Sequence, residues 1–288
     1  MLNIGIVTDS LSNLPLELAK KNDIFVIPGL VYVNNRRFIS RDEVTTQEII
    51  TLLSKGNNTL KTAIPPPGEY FKTYVEILDE YDYIISLHCP TKQTGFMRSA
   101  IVGSKRTKDP RKIIHKECGV ATLGLGLVAL ATAISAKETS DLKFLLKKID
   151  DFSKRVDVIG ALNSFDYIRR SGRVKLKIAG TFASMLSIKP VLAMHGSQIL
   201  LLEKTIVNRQ KSLDKLFEHF CKRIDDSFEP KMIGISHIMS EKECLDLKNS
   251  VCKKFPSHEI ITTDVDPMIA TNTGPGLMLI TYFGHDTN

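Results

Sequence analysis

The chain has no tryptophan, no C-x-x-C pair and no block of like charge. Each absence removes a class of function. Its five cysteines, Cys89, Cys118, Cys221, Cys244 and Cys252, are odd in number and scattered. That argues against a disulfide framework and a structural zinc site, and points to a reducing cytoplasm. No H-E-x-x-H or G-x-S-x-G occurs, no metal ligands cluster, and no Gly-Lys-Ser/Thr follows the one Gly-Pro-Gly. The signatures of zinc proteases, serine hydrolases and P-loop enzymes are therefore missing, and no cofactor is expected. The seven histidines lie far apart and read as structural or exposed. The N-terminus lacks a basic leader region and reads as a strand running into a turn, not a signal peptide.

Positive charge is present but diffuse. Lysine and arginine total 39 against 32 acidic residues, a formal charge of +7. The densest group is Arg169, Arg170, Arg173, Lys175 and Lys177. A solvated basic face explains it, and without tryptophan or a recognised motif no nucleic-acid partner is expected. The longest uncharged stretch, Cys118–Ala136, approaches a membrane span in length. It is rich in Gly, Ala and Thr, and Glu117 and Lys137 abut it, so a buried helix with its N-terminal loop is expected.

The 288 residues suffice for two medium domains. Strands are expected at Asn3–Thr8, Tyr83–His88 and Ile113–His115, alternating with helices at Leu14–Lys21, Glu69–Leu78, Phe96–Ser104 and Gly126–Ile134. A further helix is expected at Thr46–Leu53, capped by Thr45 or Thr46. Ile24–Val33 is an apolar run broken by Pro28-Gly29, and Thr62–Gly68 reads as an extended loop. This alternation implies an α/β fold with a mostly parallel sheet over residues 1–154. From Val156 the pattern changes. Ile188–Ile206 looks antiparallel with a hairpin turn at His195–Ser197, and strands at Ile233–His237, Ile260–Thr263 and Leu279–Phe283 accompany two amphipathic helices. Residues 155–288 therefore read as a second, mixed α/β domain.

Several polar loops could carry chemistry. Thr271–Gly276, Thr-Asn-Thr-Gly-Pro-Gly, offers the Asn272 amide, the Thr273 hydroxyl and backbone N–H groups, with no cation and no strong base. It suits a small anionic or polar head group; its plainer reading is a strand-entry turn. Asp9-Ser10 follows the first strand, where ligands bind in doubly wound sheets, but also suits a helix N-cap. Thr62 precedes three prolines that stiffen its setting. Thr94-Gly95 opens a helix whose N–H groups and dipole favour an anion. Ser99 lies one turn further on, where a small residue packed on the sheet is the plainer reading. Gly124-Leu-Gly126 with Ala129 imitates a dinucleotide fingerprint, but it does not open the first βα unit and no acidic residue follows at the required spacing.

These loops occur in a recognisable order: Thr8-Asp9-Ser10, Thr62 before Pro65, Thr94-Gly95 with Ser99-Ala100, Phe165–Arg173, Lys189-Pro190 and Thr273-Gly-Pro-Gly276. Over nearly its whole length the chain resembles the DegV family, whose better-understood members are FakB-type fatty-acid carriers. The resemblance implies a Rossmann-like N-terminal domain, a C-terminal mixed domain, and a lipid tunnel with the head group between them. It implies a cytoplasmic bacterial protein that is not itself an enzyme and touches membranes transiently. Such a carrier presents a long-chain fatty acid to a separate fatty-acid kinase, which makes the acyl phosphate used in phospholipid metabolism. Carried over, Thr62, Thr94, Gly95, Asn272 and Thr273 hold the carboxylate, with Arg173 close by. The sequence departs from the family pattern at several positions. The family's histidine before Thr-Gly-Pro-Gly is Asn272, which cannot become cationic. Glu117-Cys118 replaces an Asp-Ser pair, and Ser171-Gly172-Arg173 replaces Gly-Gly-Arg. A carrier that has lost kinase hand-off is the first alternative. A cleft enzyme acting on a small phosphorylated or acylated metabolite through Asp9, Ser10 and Arg173 is the second.

Elementary energetics fit a carrier. Burying about 14 methylenes at roughly 0.8 kcal/mol each gives on the order of 11 kcal/mol before association costs. A neutral hydrogen bond adds about 0.5–1.5 kcal/mol. The tail supplies affinity; the polar loops set direction.

Overall fold

The computed structural model describes residues 2–170, 188–203 and 207–285. The fold is mixed α/β, as its sequence pattern predicts. Strands β1 (Ile4–Asp9), β2 (Ile24–Ile27), β6 (Tyr83–His88) and β7 (Ile113–Glu117) form a parallel sheet in the order β2-β1-β6-β7. Strands β3 (Leu30–Val33), β4 (Arg36–Ile39) and β5 (Leu60–Ala63) form a small antiparallel sheet with β3 in the middle. The remaining strands are β8 (Val156–Ala161), β9 (Val191–His195), β10 (Gln198–Glu203), β11 (Met232–His237), β12 (Glu259–Asp264) and β13 (Met278–Phe283). They make a six-stranded mixed sheet ordered β10-β9-β8-β13-β11-β12, in which only β11 and β12 run parallel.

Ten α-helices connect them: α1 (Leu16–Lys21), α2 (Thr46–Ser54), α3 (Pro67–Ile77), α4 (Phe96–Ser104), α5 (Leu123–Glu138), α6 (Leu142–Arg155), α7 (Asp166–Arg170), α8 (Arg209–Arg223), α9 (Glu241–Lys254) and α10 (Pro267–Thr273) among the described residues. Local chemistry sets their ends. Thr45 and Glu48 form a reciprocal capping box on α2, and Asp141 caps α6 by accepting from Phe144 N. α6 is amphipathic and buries Leu145, Ile149 and Phe152.

The uncharged stretch becomes α5, which packs between the two large sheets, against β1 and β2 on one side and β8, β11 and β13 on the other. A helix covered on both sides needs no polar face, so its composition carries no amphipathic stripe. Its glycines serve packing. A Cβ on Gly126 would stand 2.6 Å from Ser12 O, and one on Gly124 2.8 Å from both Val120 and Val158. That explains the false dinucleotide pattern. No helix among the described residues is long and apolar enough to cross a membrane.

Three local expectations change. Pro28-Gly29 does not merely interrupt a run; it sends the chain from the parallel sheet into the small antiparallel one. Thr62 lies within β5, not in an extended loop, and α3 begins at Pro67, where a missing N–H costs nothing. Thr271–Thr273 form the last turn of α10, so the expected loop shrinks to Gly274-Pro275-Gly276.

Candidate functional site

A cavity of about 200 Å³ lies where the C-terminal ends of β1, β6 and β7 face β8, β9 and α10. This is the edge at which an open α/β sheet offers polar loops and uncovered space. Thr62, Thr94, Asn272 and Thr273 all line it, although they come from three distant parts of the chain. The rest of the wall is mostly aliphatic, including Val158, Leu162, Ile168, Leu192 and Leu277. No Asp, Glu, Lys, Arg or His is among the described lining residues.

Gln93 and Thr122 also line it, and the four expected polar side chains are not equivalent. Thr94 Oγ1 accepts from Phe96 N at 3.4 Å, which leaves its proton for a ligand. Gly95 is the N-cap residue of α4 and has no side chain to cap it; Gly95 itself is not among the cavity-lining residues. Thr94 and Phe96 bring the positive end of the helix dipole beside the cavity, with the Phe96 N–H taken by Thr94. A Cβ on Gly95 would stand 3.0 Å from Ile64 Cδ1 on the cavity wall. Ser99 does not line the cavity; its hydroxyl donates to Pro65 O at 2.6 Å and ties the proline segment to α4.

α10 behaves differently from the expected donor loop. Asn272 Nδ2 donates to Met268 O at 2.8 Å, and Thr273 Oγ1 donates to Ile269 O at 3.0 Å. The N–H of Gly274 donates to Ala270 O and that of Gly276 to Ile238 O, both at 2.9 Å. The first three serve the helix end, where last-turn carbonyls otherwise lack partners, and the fourth ties the turn to the chain after β11. Asn272 keeps a second N–H and its carbonyl; Thr273 keeps oxygen lone pairs. The Thr94 proton is thus left for a guest, whereas the Thr273 proton and one Asn272 N–H are spent within α10. Arg173 lies outside the described residues.

Asp9 and Ser10 are buried and do not line the cavity. Asp9 Oδ1 accepts from Leu11 N at 3.1 Å, so the plainer capping role holds, though for a single 3-10 turn. Its Oδ2 lies 3.0 Å from His88 Nδ1, with both side chains fully buried. His88 Nε2 is 2.8 Å from Ser86 Oγ, which is 2.7 Å from the Tyr74 hydroxyl. Sequence reasoning placed no histidine at the motif loops; the pairing of β1 with β6 brings one there. The available signal was that both residues end strands of one parallel sheet. None of Asp9, His88, Ser86 and Tyr74 lines the cavity, and burial raises the Asp9 carboxyl against the opposing pull of His88. The arrangement is an internal polar core, not a catalytic triad open to substrate. Burial likewise pushes the Cys118 thiol up to about 12, leaving it unreactive. No group of three or more metal-ligating side chains occurs among the described residues.

A further carboxyl sits behind the cavity. Asp266 precedes α10, is 1% exposed, and is pushed up to about 6, chiefly by burial. Its Oδ1 accepts from Met268 N and from the Ser40 hydroxyl, each at 2.8 Å.

A parallel sheet and a mixed sheet of one α/β fold meet at a mostly aliphatic cavity whose described polar side chains are all uncharged. The family model for the uncharacterised DegV proteins matches residues 3–284, and the chain belongs to the DegV family. A curated relative from Thermotoga maritima, described as a fatty acid-binding protein, is 25% identical over 96% of each chain. Protein DegV of Bacillus subtilis is 25% identical, covering 98% of this chain and 99% of its own. Among solved structures, a fatty-acid-binding DegV protein from Thermus thermophilus superposes with a TM-score of 0.87 at 23% identity, over 98% of this chain and 100% of that one. A stearic-acid-binding protein from Eubacterium ventriosum does so with a TM-score of 0.86 at 18% identity, over 97% and 98%.

Proposed function

We propose that this protein binds one long-chain fatty acid in the cavity and presents its carboxyl group to a partner. The observation that carries the reading is the meeting of Thr62, Thr94, Asn272 and Thr273 at one cavity with an otherwise mostly aliphatic wall. The carboxylate takes the hydroxyls of Thr62 and Thr94 and the N–H groups of the α4 first turn beside Gly95. Asn272 and Thr273 close the opposite side. The acyl chain runs past Val158, Gly160 and Leu192 toward β13. The polar end falls between two domains, residues 1–154 and 155–288.

On this reading the protein performs no chemistry and needs no cofactor. It works in the cytoplasm, takes its acid at a membrane surface and offers it to a fatty-acid kinase. A neutral cradle suits that task, because a carboxylate locked into a bidentate arginine pair is a poorer nucleophile. The relatives described as fatty-acid binders support the ligand class. Native mass spectrometry of freshly purified protein, followed by solvent extraction, tests it. One fatty acid per chain is the expected result. A protein that is empty under gentle conditions and takes up no added fatty acid would refute it.

A further inference from the structure

One wall of the cavity is a short helix held by unusual means. α10 contributes Met268, Ile269, Asn272 and Thr273 to the lining. It has only seven residues, too few to be stable by local hydrogen bonds. Its N-terminal end is tied to the first part of the chain. Besides the Ser40 and Met268 bonds of its side chain, Asp266 donates its backbone N–H to Asn13 Oδ1 at 2.7 Å. Thr46 Oγ1 donates to the adjoining Val265 carbonyl. The C-terminal end runs into Gly274 and Gly276, at φ 72° and 78°, a conformation that glycine adopts without strain. α10 therefore spans a polar anchor and a glycine turn.

The anchor is incomplete in a specific way. Asp266 Oδ2 and Asn13 Nδ2 are buried without a hydrogen-bond partner among the described residues. A buried charged oxygen without a donor is costly, and the neutral acid in the same place costs less. The charged groups around it do not compensate. Arg41 pulls the Asp266 carboxyl down, but by less than burial raises it, and its Nη1 is engaged by Leu14 O. Asp9, paired with His88, pushes it up. On the preceding strand Asp264 is exposed and lies 3.6 Å from His237, and on α2 Glu48 caps its own helix.

We infer that Asp266 is a positioning residue that pins α10 against the N-terminal part of the chain, and that its ionisation loosens the helix and speeds exchange through the cavity wall. When Asp266 carries charge, a state in which α10 lifts lets Oδ2 reach water. When it is protonated, that gain disappears and the wall stays shut. The effect on ligand exchange rests on the acyl-site reading; the effect on the helix does not.

Asp266→Asn keeps the capping oxygen and the shape but cannot ionise. The test compares the two full-length proteins from pH 4.5 to 7.5, so that effects common to both cancel in the ratio. Deuterium uptake is followed in the segment 267–277 of the ligand-free proteins. Release of a fluorescent long-chain acid to excess phosphatidylcholine vesicles is followed in the loaded ones. The ratio of wild-type to variant uptake should rise with pH on the order of tenfold and level off above about 6. Release should follow the same curve, and Ser40→Ala should speed uptake at every pH. Uptake curves that coincide for wild type and Asp266→Asn overturn the inference. Uptake curves that diverge in proteins that bind no acid uphold it and overturn the acyl-site reading instead.

Discussion

Two polar clusters near the same sheet edge have opposite fates. Asp9, His88, Ser86 and Tyr74 are chained by hydrogen bonds of 2.7–3.0 Å and are shut off from the cavity. Thr62, Thr94, Asn272 and Thr273 are plain neutral groups, yet all four line it. The more reactive chemistry is the buried one. A carboxylate and an imidazole that satisfy each other inside a core contribute to one packed arrangement; an uncharged hydroxyl beside empty space is available to a guest. Chemical potency and access thus point to different places here, and only access leads to the cavity.

The comparison breaks most sharply at His88. His88→Ala leaves a buried carboxyl and the Ser86 hydroxyl without their partner, and should cost about 3–5 kcal/mol in urea unfolding. Acyl binding per folded molecule should be unchanged; a selective loss of binding at full stability would move His88 into the site. Next comes Asp266→Asn. Burial raises the Asp266 carboxyl from 3.8 to about 6 in the folded protein. The ionised form is therefore disfavoured by folding, and wild-type stability should fall as pH rises from about 4 to about 6. The variant should escape that fall and be more stable at pH 7 by up to ~3 kcal/mol. Calorimetry across this range checks the sign, and an equal pH slope in both proteins would contradict it.

Thr62→Val with Thr94→Val should leave thermal unfolding nearly unmoved and weaken acid binding by about 1–3 kcal/mol, two neutral hydrogen bonds in sum. Isothermal titration with the acid and with its methyl ester separates head from tail, because the ester should scarcely distinguish the proteins. The smallest effect is at Gly160, which lines the cavity on β8. A Cβ there would stand 2.6 Å from Leu279 Cδ2, so Leu279 must give way. Gly160→Ala should move the preferred acid toward a shorter chain, by about 0.8 kcal/mol for each methylene excluded. Binding measured across a series of chain lengths reads the shift.

Much of the fold was legible because it follows from local pattern. The β-branched runs of Asn3–Thr8 and Tyr83–His88, the capping residue at Thr45, and the charge-free stretch that becomes α5 each state their structure in adjacent residues. The candidate site was legible only as separate loops. Thr271–Gly276 looked like one donor loop because Gly-Pro-Gly dominates it. The helix that claims Thr271–Thr273 is secured instead by Asp266 and by partners more than 200 residues away in Asn13 and Ser40.

Propensity, capping and periodicity act over a few residues, so the alternation of strands and helices, the buried character of α5 and the neutral side chains of the polar loops follow from adjacent residues. Only the tertiary structure decided that Thr62 and Thr94 share a cavity with Asn272 and Thr273. It alone set His88 against Asp9 and left the Asp266 carboxyl half-partnered. Those outcomes depend on strand order and on which distant surfaces exclude water, and no local pattern encodes either.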